Sequence, residues 1–134
     1  MNYVDLGLPS GTLWADTNEE GYYTFDEAKE KFGNSLPTTG QWQELIDNCE
    51  WLWDFKKKQM VAIGSNGNKI ILPAAGYRND TDIFSVWSYG YYWSSTALNN
   101  GDSYRLRLNS SNVYPGTDYY YKYDGRSIRC TVGP

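Results

Sequence analysis

Histidine is absent from this chain of 134 residues. That excludes Ser-His-Asp triads, Cys-His pairs and the usual zinc ligand sets. Cysteine occurs only twice, at Cys49 and Cys130. Two distant thiols do not form a metal cluster; they are either buried small hydrophobes or one bridge joining a helix end to the last strand. No apolar run approaches the ~20 residues that a membrane span needs. The first residues, Met1 to Leu6, show neither a basic n-region nor an apolar h-region, so no signal peptide is expected and the chain should be soluble as given. Glutamate and glutamine are missing from the second half: all six Glu and all three Gln lie at or before Gln59. The net charge of −4 is uneven, with 7 basic and 13 acidic side chains in residues 1–83 (net −6), and 5 basic and 3 acidic in residues 84–134 (net +2). This is not the basic footprint of a nucleic-acid binder, and no nucleic-acid partner is expected.

What the second half does contain is tyrosine. Nine of the thirteen tyrosines fall between Ser85 and Tyr123, interleaved with Ser, Asn, Asp, Gly and Arg. Tyrosine gives a large amphipathic contact area at low entropic cost, while Ser, Asn and Gly give adaptable hydrogen bonding, as in an antibody paratope. The competing explanation is a structural aromatic core. Against it, Tyr119, Tyr120 and Tyr121 are consecutive, so a strand would point them to both faces.

The length suits one domain, residues 1–134, with a scaffold half (1–83) and a half carrying the tyrosine-rich segment (84–134). Tyr3–Leu6 and Thr12–Ala15 read as short strands. Thr24-Phe-Asp-Glu27 is a capping box that predicts a helix from Phe25 to about Phe32, stopping at Gly33. A second box, Thr38-Thr-Gly-Gln41, opens a helix to about Asn48, with Trp42, Leu45 and Ile46 on its buried face. Trp51, Trp53 and Phe55 alternate as in a half-buried strand, and Lys56–Gln59 makes a solvated turn. Met60–Leu72 reads as two strands around Ser65-Asn-Gly-Asn68. Beyond Pro73 regular pattern fades until Tyr91. Tyr104, Leu106 and Leu108 then alternate with Arg105 and Arg107, which are expected to point outward together. Arg126–Val132 alternates likewise and should close the sheet beside the Tyr104–Leu108 strand. Strands, two helices, then strands and long loops give an α+β class with a small mixed or antiparallel sheet.

Six motifs in order carry a resemblance that spans nearly the whole chain. They are Tyr3-Val-Asp-Leu-Gly-Leu-Pro-Ser-Gly-Thr-Leu-Trp-Ala15, Leu36-Pro-Thr38, Cys49-Glu-Trp51, Ile70-Ile-Leu-Pro-Ala-Ala-Gly-Tyr-Arg78, Tyr92-Trp-Ser-Ser-Thr96 and Gly125-Arg-Ser-Ile-Arg-Cys130. Together they resemble the Fibrobacter succinogenes major paralogous domain of gut Bacteroidetes and their phages, a family similar to C-type-lectin folds and to the formylglycine-generating group. Within it the chain looks closest to the variable proteins of diversity-generating retroelements. The resemblance implies a C-type-lectin-like fold, and it implies that Cys49 and Cys130 are neighbours. In such proteins a C-terminal cassette is rewritten at adenines, chiefly in Asn codons. Those codons can yield Tyr, Ser, Asp, Gly, Arg, Thr or Leu, but not Glu, Gln, Lys, Met or Trp while the third base stays a pyrimidine. The segment Ser85–Tyr123 has no Glu, Gln or Met, one Lys and two Trp. Trp93 belongs to a fixed motif, whereas Trp87 does not fit a rewritten Asn codon.

The function implied is non-catalytic ligand binding through a diversified surface. Its site residues are Ser85, Trp87, Tyr89 and Tyr91 from one segment, and Asn99, Asn100, Asp102, Arg105 and Arg107 from a second. Ser111, Tyr114, Asp118, Tyr119, Tyr120, Tyr121, Tyr123 and Arg126 complete the set. Trp14, Trp42, Trp51, Leu72, Tyr92, Trp93, Leu106, Leu108 and Ile128 form the scaffold. The partner would be a protein or cell-surface ligand, met on a phage virion or bacterial surface, with the chain as a monomer; otherwise it would be cytoplasmic. A non-diversified adhesin or surface-lipoprotein module is the alternative. A formylglycine-generating-like enzyme ranks third, because that copper-dependent cysteine chemistry is not carried over to cysteines lying on scaffold motifs. No cofactor and no metal are expected. The Glu-Pro-Asn signature of calcium lectins does not occur. Asp80 and Asp82, the nearest carboxylate pair, suit Asx turns better than glycosidase chemistry.

Overall fold

The computed structural model describes residues 2–97, 103–118 and 124–133. Both capping boxes form as the sequence predicts. Thr24 Oγ1 accepts from Glu27 N while Glu27 Oε1 accepts from Thr24 N, opening α1, Phe25–Phe32. Thr38 and Gln41 do the same for α2, Thr39–Asn48. Each reciprocal pair satisfies two amide donors that a helix start leaves open. Gly33, at φ 50°, ends α1.

Strands predominate. β1 (Tyr3–Asp5), β2 (Leu13–Ala15) and β11 (Thr131–Val132) form one sheet in the order β1-β2-β11. β3 (Glu50–Asp54), β4 (Gln59–Ile63) and β5 (Lys69–Pro73) form an antiparallel meander. β6 (Tyr77–Asn79) and β7 (Asp82–Phe84) are a hairpin. β8 (Gly90–Ala97), β9 (Ser103–Leu108) and β10 (Val113–Asp118) form a second meander, with β9 central.

Among the described residues, two short helices beside four small sheets correct the expected α+β, C-type-lectin-like class to a mostly β fold. The expectation erred after Pro73, where β6, β7 and β10 had looked like loop. β10 contains Pro115 and Gly116, which argue against a central strand. It pairs with β9 alone, and a sheet edge tolerates proline because the missing N–H faces away from the ladder. The β6–β7 hairpin escaped notice because its strands are three residues long and its turn includes Asp80 at φ 58°.

The closing strand also differs from expectation. Only Thr131 and Val132 form a strand, and their partner is β2 rather than β9. Upstream, Ser127 meets Tyr92 of β8 in a parallel bridge and Arg126 meets Tyr23. β9 had no free edge to offer, because β8 and β10 occupy both sides.

Strand alternation divides the core in two. In β2, Trp14 joins one cluster and Ala15 the other; in β8, Tyr92 and Trp93 divide the same way. The first cluster packs Trp14 on Trp42 (ring centroids 4.6 Å apart) with Leu45, Leu72, Leu106 and Leu108. The second packs Trp93 edge-on to Phe25, with Ile128 and Cys130. Trp93 is fully buried and donates its Nε1 to Tyr23 O at 2.6 Å. Of the expected scaffold residues only Trp51 is less than fully covered; it is half-buried beside the first cluster.

The cysteines are both free thiols. Cys49, half-buried, packs against the first cluster and Cys130 within the second, so of the two readings the bridge is corrected: none joins them. The physical reason is again the pairing of the last strand with β2, which carries Cys130 to the α1 side of the core.

Arg129 is buried and threads between elements. Its Nε and Nη2 donate to Asn18 Oδ1 at 3.0 and 2.7 Å, its Nη1 to Ala15 O at 3.1 Å, and its Nη2 also to Ile71 O. Asn18 Nδ2 donates to the Tyr92 hydroxyl, which donates to Pro73 O at 2.8 Å.

Two predictions follow from this packing. Gly76, at φ 70°, bridges Gly90, and a Cβ there would stand 2.0 Å from Phe84 O. Gly76→Ala should therefore cost about 3 kcal/mol or more, since it adds backbone overlap to a left-handed φ; an unchanged urea midpoint would refute the close approach. The second concerns alkaline pH. Burial pushes the Tyr92 hydroxyl from 10.0 up to about 12, and burial with the nearby Glu19 pushes the Cys130 thiol from 9.0 up to about 11. The fold thus favours both neutral forms. Their stabilisation is complete below the unfolded values and is lost as pH rises through 9 to 11 for Cys130 and 10 to 12 for Tyr92. Urea titrations across that range should show stability falling, and Cys130→Ala should remove the lower-pH part of the fall.

Candidate functional site

Three turns converge on an open cleft of about 490 Å3. The β3–β4 turn supplies Phe55 and Lys58, with Trp53 from β3 itself. The turn before β8 supplies Trp87, Ser88 and Tyr89, and the β9–β10 turn supplies Asn109, Ser110 and Ser111. Phe55 is 73% exposed and Trp87 63% exposed; Trp53 and Tyr89 are half-buried.

Each turn is pinned by its own hydrogen bonds. Asp54 Oδ1 accepts from Lys56 N and Lys57 N, and Asp54 O from Lys58 N. These bonds hold the Asp54 carboxyl below the usual carboxylate range. Ser85 O accepts from Ser88 N and Tyr89 N. Asn109 Oδ1 accepts from Ser111 N and Asn112 N at 2.8 and 2.9 Å.

The backbone here is strained. Among the described residues, non-glycine positive φ angles occur at Lys58 (54°), Asp80 (58°), Ser85 (61°) and Trp87 (74°). Lys58 and Trp87 line the cleft and Ser85 anchors its central turn. A bulky residue in this region is a genuine outlier, and such outliers gather at functional sites. Both cleft residues hang on one buried residue: Ala74 N donates to Lys58 O, and Trp87 N donates to Ala74 O.

An aromatic row leads away from the cleft. Tyr89 lies 6.0 Å from Tyr91 (ring centroids), Tyr91 meets Tyr77 edge-on at 5.4 Å, and Tyr77 stacks on Phe84 at 5.5 Å. The Arg107 guanidinium sits over the Tyr89 ring at 5.8 Å, and that of Arg126 over Tyr91 at 5.1 Å and Trp93 at 4.5 Å. Such cation–π contacts hold planar cations against aromatic faces. Ile83, Phe84 and Val86 expose apolar surface beside the row.

The expected site residues therefore divide. Trp87, Tyr89 and Ser111 share the cleft, with Ser85 at its base and Tyr91 and Arg107 on the adjoining row. Arg105 and Arg126 are corrections: they are 6% and 2% exposed, not outward. Cross-strand register explains Arg105, which opposes Trp93, while Arg107 opposes Tyr91. Arg126 of the C-terminal segment lies over Tyr91 and Trp93 on this face, so the side opposite Leu106 and Leu108 is buried at Arg105 and half-buried at Arg107. Tyr114 and Asp118 stand in β10. Asn99, Asn100, Asp102, Tyr119, Tyr120, Tyr121 and Tyr123 lie outside the described residues. The sequence reading missed Trp53, Phe55, Lys58, Ser88, Asn109 and Ser110 as site residues. The available signals were a Phe directly before three lysines and the turn-forming Asn109-Ser-Ser-Asn112.

A second open cleft is lined by residues including Ser10, Thr12 and Glu44, and there Ser10 Oγ and N both donate to the Glu44 carboxylate. Among the described residues, no group of three or more His, Cys, Asp or Glu is placed to hold a metal ion, and no helix is long and apolar enough to cross a membrane.

No curated protein and no solved structure matches the chain significantly. One family model does, over residues 43–131, which takes in all three cleft turns, the aromatic row and Arg129, and the chain belongs to that family, described as "Domain of unknown function (DUF8237)".

Proposed function

We propose that this chain is a non-catalytic ligand-binding protein whose recognition centre is the Trp87 cleft and the aromatic row beside it. Trp87 is the observation that carries the reading. It exposes 63% of its surface and holds φ at 74°. A left-handed L-residue costs about 1–2 kcal/mol, and an exposed tryptophan recovers little of that by burial. A residue that opposes folding in both respects is best explained by what it contacts in a partner. Tryptophan, tyrosine and arginine are the side chains that dominate binding hot spots. The ligand proposed is a protein or a cell-surface molecule.

Diversification by a retroelement remains the proposal for the Tyr-, Ser- and Asn-rich segment, supported by its lack of Glu, Gln and Met. One observation favours the alternative, a fixed adhesin module: Trp87, at the centre of the cleft, cannot arise from an Asn codon rewritten at its adenines. The flanking DNA separates the two. An adjacent near-repeat of the 3′ coding end, differing only at adenines and beside a reverse-transcriptase gene, is the expected mark of diversification; its absence leaves the fixed module.

Folding and binding roles also separate in the test tube. Trp87→Gly should raise stability by about 0.5–1 kcal/mol, because relief of the left-handed strain exceeds the entropy cost of glycine. Trp93→Ala should lower it by about 3–5 kcal/mol, as loss of a buried large aromatic does. Comparable losses in the two variants, read from urea midpoints, would make Trp87 a core residue and remove the binding reading.

A further inference from the structure

We infer that the Trp87 cleft takes a neutral oligosaccharide, without a metal ion. The inference rests on the binding reading above and names the ligand class. Its size, about 490 Å3, falls within the range of small-molecule sites. Its lining combines two kinds of surface. Phe55 and Trp87 present exposed aromatic rings, and Ser88, Ser110, Ser111 and Asn109 present hydroxyl and amide groups. Asn109 Oδ1 is engaged by the amides of Ser111 and Asn112, which leaves its Nδ2 as the group suited to donate to a ligand.

The charge pattern narrows the class. Among the described residues no carboxylate lines the cleft, so none of them would hold a cation there. Lys58 is the one charged residue among the described lining, which falls short of the paired or bidentate cations that recognise phosphate or carboxylate. A peptide adding to a sheet needs an open strand edge, whereas the lining here comes chiefly from three turns with internally bonded backbone. A pyranose suits what remains. Its C–H faces are apolar and match aromatic rings, and its rim of hydroxyls both donates and accepts. The pinned turns and the strained Lys58 and Trp87 keep the rings presented before binding, which lowers the ordering cost of a weak, hydrated ligand.

The test is calorimetric titration of the whole chain with hexasaccharides of neutral sugars: cello-, xylo-, manno-, malto-, laminari- and N-acetylchitohexaose. The expected result is saturable binding of at least one, unaffected by EDTA and weakened at least about ten-fold by Trp87→Gly and by Phe55→Ala. Val132→Ser, an exposed residue outside both the cleft and the row, should leave affinity unchanged. Absence of saturable binding by all six up to about 10 mM overturns the sugar inference, as does binding that Trp87→Gly leaves intact or that EDTA abolishes. If the panel fails while Trp87→Gly is at least as stable as the parent, only the sugar falls and the binding face stands. If Trp87→Gly is instead as unstable as Trp93→Ala, the binding reading falls with it.

Discussion

The buried guanidinium of Arg129 is the interaction on which the arrangement of the sheets depends. It joins Ala15 of β2, Asn18 beyond it and Ile71 of β5, while Asn18 and Pro73 hold the hydroxyl of Tyr92 in β8. Three sheets that share few backbone hydrogen bonds are thereby tied at one point. Its hydrogen bonds go to carbonyl and side-chain amide oxygens rather than to a carboxylate, and burial pushes the guanidinium pKa down. Arginine suits this position because its planar fork carries five donors and stays charged when partly desolvated. Removing any acceptor would leave a buried cation short of a partner, an expensive defect.

Around that fixed point the molecule divides by burial. Tyr92 and Trp93, adjacent in β8, enter different cores, so β8 is covered on both faces at these two residues. Two arginines that alternation alone would send to solvent are instead buried, Arg126 lying against Tyr91 and Trp93. The cleft sits where this covering ends. There the chain accepts strain at Lys58, Ser85 and Trp87 and leaves two large aromatic rings in water. Ala74 couples two of these turns to the core through its own N–H and C=O, adding to the hydrogen bonds within each turn.

Much of the first half was legible from local chemistry. Reciprocal side-chain caps fixed both helix starts, and the glycine after Phe32 fixed an end. Asn and Gly at 66 and 67 located the β4–β5 turn. The second half was less legible because its strands are short, edge-placed or interrupted: Pro115 and Gly116 hid β10, and three-residue strands hid β6 and β7. Within the site, Trp87 and Tyr89 were readable as contact residues by type. Phe55 was not, because an alternating Trp-x-Trp-x-Phe pattern does not reveal that its last member has already left the strand.

By itself the sequence determined what depends on neighbours within a few residues: two capped helices, several hairpins, a chemistry without histidine and a stretch rich in tyrosine. Tertiary structure decided what depends on distant partners. It set the pairing of β11 with β2, the placing of Cys49 and Cys130 against different core clusters, and the burial of Arg105 and Arg126. It also brought residues 53–58, 87–89 and 109–111 to one cleft. The reason is that alternation fixes which side chains share a face, but whether that face meets water is settled by whichever segment of the chain comes to lie on it.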